Sequence, residues 1–283
     1  MVATSPSRAE DVQSHSFSQN DAPARRSIKK LLLPFFQQIG SSTQNLTADS
    51  AGFWRTGGDR YWLPRIVFRG AAESGEAYIR LGIFAGIHGD EPAGVEALVD
   101  LLRYMETHPA LFRAYRITIY PLCNPTGYED GTRHSRSGKD LNREFWRGSM
   151  EPEIALLERE LMVQKFDGLI ALHSDDTSDG LYAFARGHTL TEHLLKPALA
   201  AAQAALPLNQ CSTIDGFHAV DGIIHSGYDG ILSAPPGTTP SPFELVLESP
   251  QLASACLQRA AFVLALTEIL REYRRLFSYA ANI

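Results

Sequence analysis

Apolar positions along the chain follow two periods, helical and strand-like, that alternate. From Ser27 onward IKKLLLPFFQQI spaces its apolar residues for a short amphipathic helix, and residues 61–70 (YWLPRIVFRG) form a strand closed by glycine. AYIRLGIFAGIHG is a second strand, mostly apolar, that runs into a glycine-rich turn. EPAGVEALVDLLRYMETH then places Val95, Leu98, Val99, Leu102 and Met105 on one helical face, and RITIYPLCNP returns as a buried β-branched strand.

Strand, helix, strand in that order predicts a parallel pairing. The alternation continues: PEIALLERELMVQKF is helical, DGLIALHS and LYAFARG are strands, and TLTEHLLKPALAAAQAAL is a long helix. Residues 208–242 are rich in Gly and Pro and read as loop, with a short strand near Ile223, before FELVLESP as a strand and QLASACLQRAAFVLALTEILREYRRLF as a closing helix. No internal repeat and no linker interrupts the pattern. The prediction is an α/β fold in a single domain over residues 27–283, a mixed, mostly parallel twisted sheet flanked by helices. Residues 1–26, polar and rich in Ser, Ala and Asp, are expected to form a flexible arm.

Charge and composition narrow the partners. With 26 basic and 32 acidic residues the net charge is -6, so there is no basic field to attract nucleic acid or anionic lipid. Cys123, Cys211 and Cys256 are odd in number and widely spaced, and are expected to be buried thiols in a reducing compartment. The N-terminus lacks the apolar core of a secretory signal, and no segment approaches the run of roughly 18 apolar residues that spans a bilayer. A cytoplasmic protein without membrane contact is expected, unless an exported precursor was trimmed.

In open α/β sheets ligands bind beyond the carboxyl ends of the strands, so polar residues there matter most. GIFAGIHGDEPAG puts His88 and Glu91 three apart just after a strand, a pair that is otherwise common as a helix cap or surface contact. DGLIALHSDD puts His173 at a second strand tip. Two imidazoles and one carboxylate are a set that leaves a fourth zinc position open for water. The loop from Asn124 to Phe145, NPTGYEDGTRHSRSGKDLNREF, brings Arg133 and Arg143, whose planar forks suit a substrate carboxylate and a carbonyl gaining negative charge. In FELVLESP, Glu248 ends a strand and is placed to take and return a proton; Glu244 shares its side-chain parity but lies further from the strand's end.

The order His88-x-x-Glu91, Asn142-Arg143, His173, Glu248, together with Asn124-Pro125, Gly127, Thr132-Arg133 and Asp140-Leu141-Asn142-Arg143, resembles the zinc carboxypeptidase family, including carboxypeptidase A and murein peptide amidase, over residues 60–275. The resemblance implies one zinc ion on His88, Glu91 and His173, a substrate carboxylate held by Asn142 and Arg143, a scissile carbonyl polarised by Arg133, and Glu248 as general base and acid. It further implies that Asp140 orients the first zinc histidine, against the plain alternative of a helix cap or loop residue. The family's capping tyrosine has only an approximate counterpart, Tyr228. The substrate expected is a small peptide, with a cell-wall peptide as one option.

The same core also resembles succinylglutamate desuccinylase and aspartoacylase, which makes an N-acyl-amino-acid deacylase the competing reading. Only 35 residues follow Glu248, short for the extra C-terminal β domain of those acylases, and Arg143 lies ten positions after Arg133 as in murein peptide amidase. A metal- or ligand-binding relative without catalysis is the third reading. The remaining histidines have no partner at ligand spacing; among them His218 and His225 are candidates to line the pocket from the Gly-rich loop.

Overall fold

The computed structural model describes residues 24–42, 45–185 and 188–280. Helix α1 (Ile28–Ser41) is N-capped by Ser27, whose hydroxyl accepts from the Lys30 amide. Strands β1 (Asn45–Thr56) and β2 (Asp59–Arg69) form a hairpin, followed by β3 (Ile79–Ala85), α2 (Pro92–Thr107), β4 (Tyr115–Tyr120) and the short α3 (Pro125–Asp130). A 3-10 turn at Leu141–Arg143 precedes α4 (Pro152–Gln164), β5 (Gly168–Asp175) and β6 (Tyr182–Ala185). Next come α5 (His188–Leu190), a π-helical turn (Thr191–Leu195) and α6 (Lys196–Ala202). The chain then runs through β7 (Thr213–Ile214), β8 (Phe217–Val220), β9 (Ile223–Ile224) and β10 (Phe243–Pro250) to α7 (Ala255–Ala280).

These strands build one sheet in the order β1-β2-β4-β3-β5-β10-β6-β9-β8-β7. Its centre, β4-β3-β5-β10, is parallel, as the strand-helix-strand pattern predicts. The flanks depart from "mostly parallel": β1/β2, β2/β4, β10/β6, β7/β8 and β8/β9 are antiparallel. Hairpin connections explain part of this. Gly57 and Gly58 (φ 57° and 87°) turn β1 into β2, and Asp215 and Gly216 (φ 51° and 78°) turn β7 into β8; two-residue turns of this hand join antiparallel strands only.

Side chains divide by parity along the strands. Leu81, Ile83 and Ala85 of β3 face a core shared with α1, α2, α6 and α7, through Leu32, Leu98, Leu102, Leu199 and Leu266. Phe84 and Tyr120 point the other way, onto Leu157 and Leu161 of α4 and onto Phe145. Burial on both faces is why β3 and β5 read as continuous apolar runs.

Three expectations change. Strand β1, which pairs with β2 along its whole length, is absent from the sequence reading because NLTADSAGFWRT is an edge strand with mixed polarity. The loop at 208–242 holds three short strands rather than one. Cys123 is buried, but Cys211 and Cys256 are exposed, one in the loop before β7 and one in the first turn of α7. Of the expected arm, residues 1–23 lie outside the described residues, whereas Arg25 pairs with Asp59 at 2.9 Å and the Arg26 amide donates to the Glu129 carbonyl at 2.7 Å. Among the described residues no helix is long and apolar enough to cross a membrane.

Candidate metal centre and active site

The parallel strands β3, β5 and β10 end side by side, and their tips carry His88, His173 and Glu248. After β3 the chain leaves the sheet through Gly86 and reaches His88 and Gly89. A Cβ on Gly89 would lie 2.0 Å from the Gly127 carbonyl carbon, so the histidine loop and α3 touch backbone to backbone. Asn124 clamps the same junction: its Nδ2 donates to the carbonyls of Ile87 (3.2 Å) and Arg133 (3.3 Å), while its Oδ1 accepts from the Gly127 amide at 2.8 Å. The Asn-Pro-Thr-Gly segment thereby fixes both His88 and Arg133.

Glu91 occupies the N-cap position of α2, yet its carboxylate caps nothing there. It turns to the imidazoles instead, with Oε1 2.6 Å from His88 Nδ1 and Oε2 3.1 Å from His173 Nδ1, and it accepts from the Ser174 amide at 2.9 Å. The two Nδ1 atoms are 3.1 Å apart, and one donor atom from each of the three residues lies within 4.8 Å of the others, all buried. Ligands about 2.0–2.1 Å from a tetrahedral ion sit roughly 3.4 Å from each other, so this donor set fits a divalent cation. The electrostatics agree. Burial opposes charge on all three, but the Glu91 carboxyl is held well below its usual range by the two imidazoles, while burial lowers the His173 pKa. For His88, burial is outweighed by the Glu91 and Asp140 carboxylates, and its pKa rises.

Asp140 meets both the 3-10 turn and His88. Oδ1 accepts from the Asn142 amide at 2.9 Å, capping the 3-10 turn, and lies 3.1 Å from His88 Nε2. A proton on Nε2 leaves the Nδ1 lone pair facing Glu91 and His173. Burial would raise the Asp140 pKa, but His88 and Arg133 lower it further.

Arg133 lies beside these groups, its Nε and Nη2 donating to Asp140 Oδ2 at 3.3 and 3.2 Å and Nη1 to Glu91 Oε1 at 3.4 Å. The Asn142 Oδ1 accepts from the Leu232 amide at 3.0 Å, and Arg143 Nη1 donates to the Asn142 carbonyl at 2.8 Å. The Arg143 guanidinium stacks 3.9 Å from the Tyr228 ring centroid, and the Tyr228 hydroxyl donates to the Asp215 carbonyl at 3.1 Å. His88, Glu91, Arg133, Asn142, Arg143, Tyr228 and Asp215 line one cavity of about 310 Å³.

Glu248 also lines it, with no hydrogen bond reaching its carboxylate among the described residues. Burial, then the neighbouring Glu91 and Asp175 carboxylates, raise its pKa well above the ordinary carboxylate value. The rival Glu244 is committed elsewhere, accepting from the Ala234 amide at 2.7 Å, and lies four residues, about 13 Å, back along β10. His218 and His225 do not line this cavity. His218 Nδ1 instead meets the Ser212 carbonyl at 3.1 Å.

Residues the sequence reading did not single out complete the wall: Asp175, Asp176, Tyr182 and Asp215. The two aspartates follow His173 by two and three positions and were legible by adjacency. Tyr182 was not, because it reaches the site through the antiparallel pairing that sets it opposite Glu248.

Residues 77–217 match the family model of the succinylglutamate desuccinylase/aspartoacylase catalytic domain. Mouse carboxypeptidase D is 32% identical over 110 residues, 33% of this chain and 8% of that protein; the chain thus matches only a small part of the relative's length. A metallo-carboxypeptidase from Burkholderia cenocepacia superposes with a TM-score of 0.68 at 17% identity, over 89% of this chain and 70% of the other. Carboxypeptidase A from Helicoverpa armigera gives 0.64 at 14% identity, over 90% and 76%. The fold is therefore the carboxypeptidase-like one, a single α/β domain with a large mixed sheet flanked by helices. The family model that matches is the one the sequence reading held as competitor to the peptidase. The chain thus has the carboxypeptidase-like fold, and its residues 77–217 match the succinylglutamate desuccinylase/aspartoacylase catalytic domain.

Proposed function

We propose that the protein is a zinc-dependent hydrolase that cleaves an amide bond next to a free carboxylate in a small substrate. The observation that carries this reading is the convergence of His88 Nδ1, His173 Nδ1 and the Glu91 carboxylate on the cavity that Glu248 also lines. Glu91, His88 and His173 would hold the ion, and Asp140 would orient His88 through Nε2. When bound, the ion supplies Lewis acidity and lowers the pKa of water in its open position.

The chain's own residues do the rest. Arg143, pinned on the Tyr228 ring, with Asn142 beside it, receives the substrate carboxylate through a charge-assisted fork. Arg133 donates to the carbonyl oxygen as negative charge develops there. Glu248 takes a proton from the attacking water and delivers it to the departing nitrogen.

A second reading, an N-acyl-amino-acid deacylase, is favoured by the family model matched over residues 77–217. A panel of C-terminal dipeptides, cell-wall peptide fragments, N-acetyl-aspartate and N-succinyl-glutamate, presented to the zinc-loaded protein, tests both. Hydrolysis of peptides that is lost on amidating the C-terminal carboxylate supports the first reading. Cleavage confined to the acyl-amino acids supports the second, and no hydrolysis of any member refutes the hydrolase proposal.

A further inference from the structure

We infer that the ligand of this cavity is a dipeptide-sized zwitterion with a free amino terminus, its carboxylate at Arg143 and its ammonium against a wall of Asp175, Tyr182, Asp176 and Asp215. The inference rests on the hydrolase reading above and goes beyond it by assigning the charge of the part of the substrate that lies away from the carboxylate.

The wall's polarity is set by one tyrosine. Tyr182 is 2% exposed and stands directly across the β10/β6 pairing from Glu248, on the same face. Its single proton is donated to Asp175 Oδ2 at 2.9 Å. Asp175 cannot turn away, because its other oxygen accepts both the Thr177 amide and the Thr177 hydroxyl at 2.7 Å. The Tyr182 ring is packed edge-on to Phe184, with centroids 5.7 Å apart. The hydroxyl oxygen therefore offers the cavity only lone pairs. Asp176 and Asp215, exposed on the same rim, add two carboxylates. Every polar group of this wall accepts and none donates, so the group that fits it is a donor with positive charge. An acetyl or succinyl group brings only acceptors, and succinyl adds a like charge.

The opposite pole is the Arg143 guanidinium. Tyr228 spans the two, with its ring under Arg143 and its hydroxyl on the Asp215 carbonyl. One tyrosine side chain thus separates the cationic and anionic poles, a span comparable with two residues of extended chain, roughly 7 Å. A longer peptide places an uncharged amide at the wall and forgoes the attraction of the aspartates.

Two measurements test this on the full chain. Calorimetric titration of the Glu248→Gln protein with Gly-Phe, N-acetyl-Gly-Phe and N-succinyl-Gly-Phe reads the wall without turnover, and kcat/KM of the zinc-loaded wild type for the same three reads activity. Gly-Phe is expected to bind at least about tenfold more tightly than the acetylated peptide, a gap of about 1.4 kcal/mol, with the succinylated peptide weakest. Asp176→Asn and Asp215→Asn should each narrow the gap, as should added salt, because both carboxylates are exposed. Asparagine tolerates the left-handed backbone at position 215, so that hairpin is kept. Equal binding of the three, or preference for the succinylated peptide, overturns the inference. The expected binding order without hydrolysis of any of them supports the inference and removes the hydrolase reading instead.

Discussion

Replacing Asp140 by Asn isolates the carboxylate that orients His88. The substitution keeps an oxygen that can cap Asn142, so the local turn survives, but it removes the negative charge opposite His88 Nε2 and half of the Arg133 ion pair. Loss of such an orienting partner typically weakens metal binding by 10–100-fold, about 1.4–2.7 kcal/mol. Because the metal binds only the folded chain, the same amount is lost from metal-dependent stability when free zinc is well above both dissociation constants. The assay is zinc competition against a chromophoric chelator, paired with thermal unfolding with and without zinc. The variant should show weaker zinc binding and a smaller zinc-induced rise in Tm, with the metal-free Tm changed little. Unchanged zinc affinity would refute the role given to Asp140. An equal fall in the metal-free Tm would make it a structural cap instead.

Three further outcomes follow from the geometry. Glu248→Gln should bind zinc as tightly as the wild type while kcat falls by about 10²–10⁴-fold, the usual weight of a proton-transfer group; normal turnover removes Glu248 from the mechanism. Gly89→Ala forces a Cβ to within 2.0 Å of the Gly127 backbone, so denaturant unfolding should show a loss of about 3 kcal/mol or more together with weakened zinc binding, and wild-type stability would disprove the backbone contact. Buried Glu153, on α4 beneath the Thr126 hydroxyl, has its pKa raised by desolvation to about 7. The folded chain therefore holds a proton that the unfolded chain releases above the ordinary value of 4.5, and stability falls as pH rises from there through about 7. Glu153→Gln should flatten this slope and gain up to about 3 kcal/mol at pH 8 in denaturant titrations; an unchanged slope would place the ionisation elsewhere.

The sequence by itself determined the parallel centre of the fold and the identities of the chemical groups. Runs such as RLGIFA and GLIALHS are apolar at both parities because helices cover both faces, and that pattern is visible without coordinates. His88, Glu91, His173 and Glu248 were legible because each stands where an apolar run ends, at the edge where parallel strands present their tips. Asp140 was legible only as part of a motif.

Tertiary structure decided what depends on pairing across the chain. Strand β1 forms because β2 offers it an edge, and its own residues carry no strong period. Glu91 could have capped α2; the proximity of two imidazoles and the Ser174 amide turns its carboxylate inward instead. Glu248 and Glu244 share parity, and only the loop that occupies Glu244 separates their roles. Tyr182 enters the site through a register set by β10, 66 residues further on in the chain, and Asp215 through a hairpin turn in a segment that reads as loop. Local periodicity records which face of an element is buried. Which residues meet over the cavity is set by long-range pairing and loop paths, and those leave no local trace in the chain.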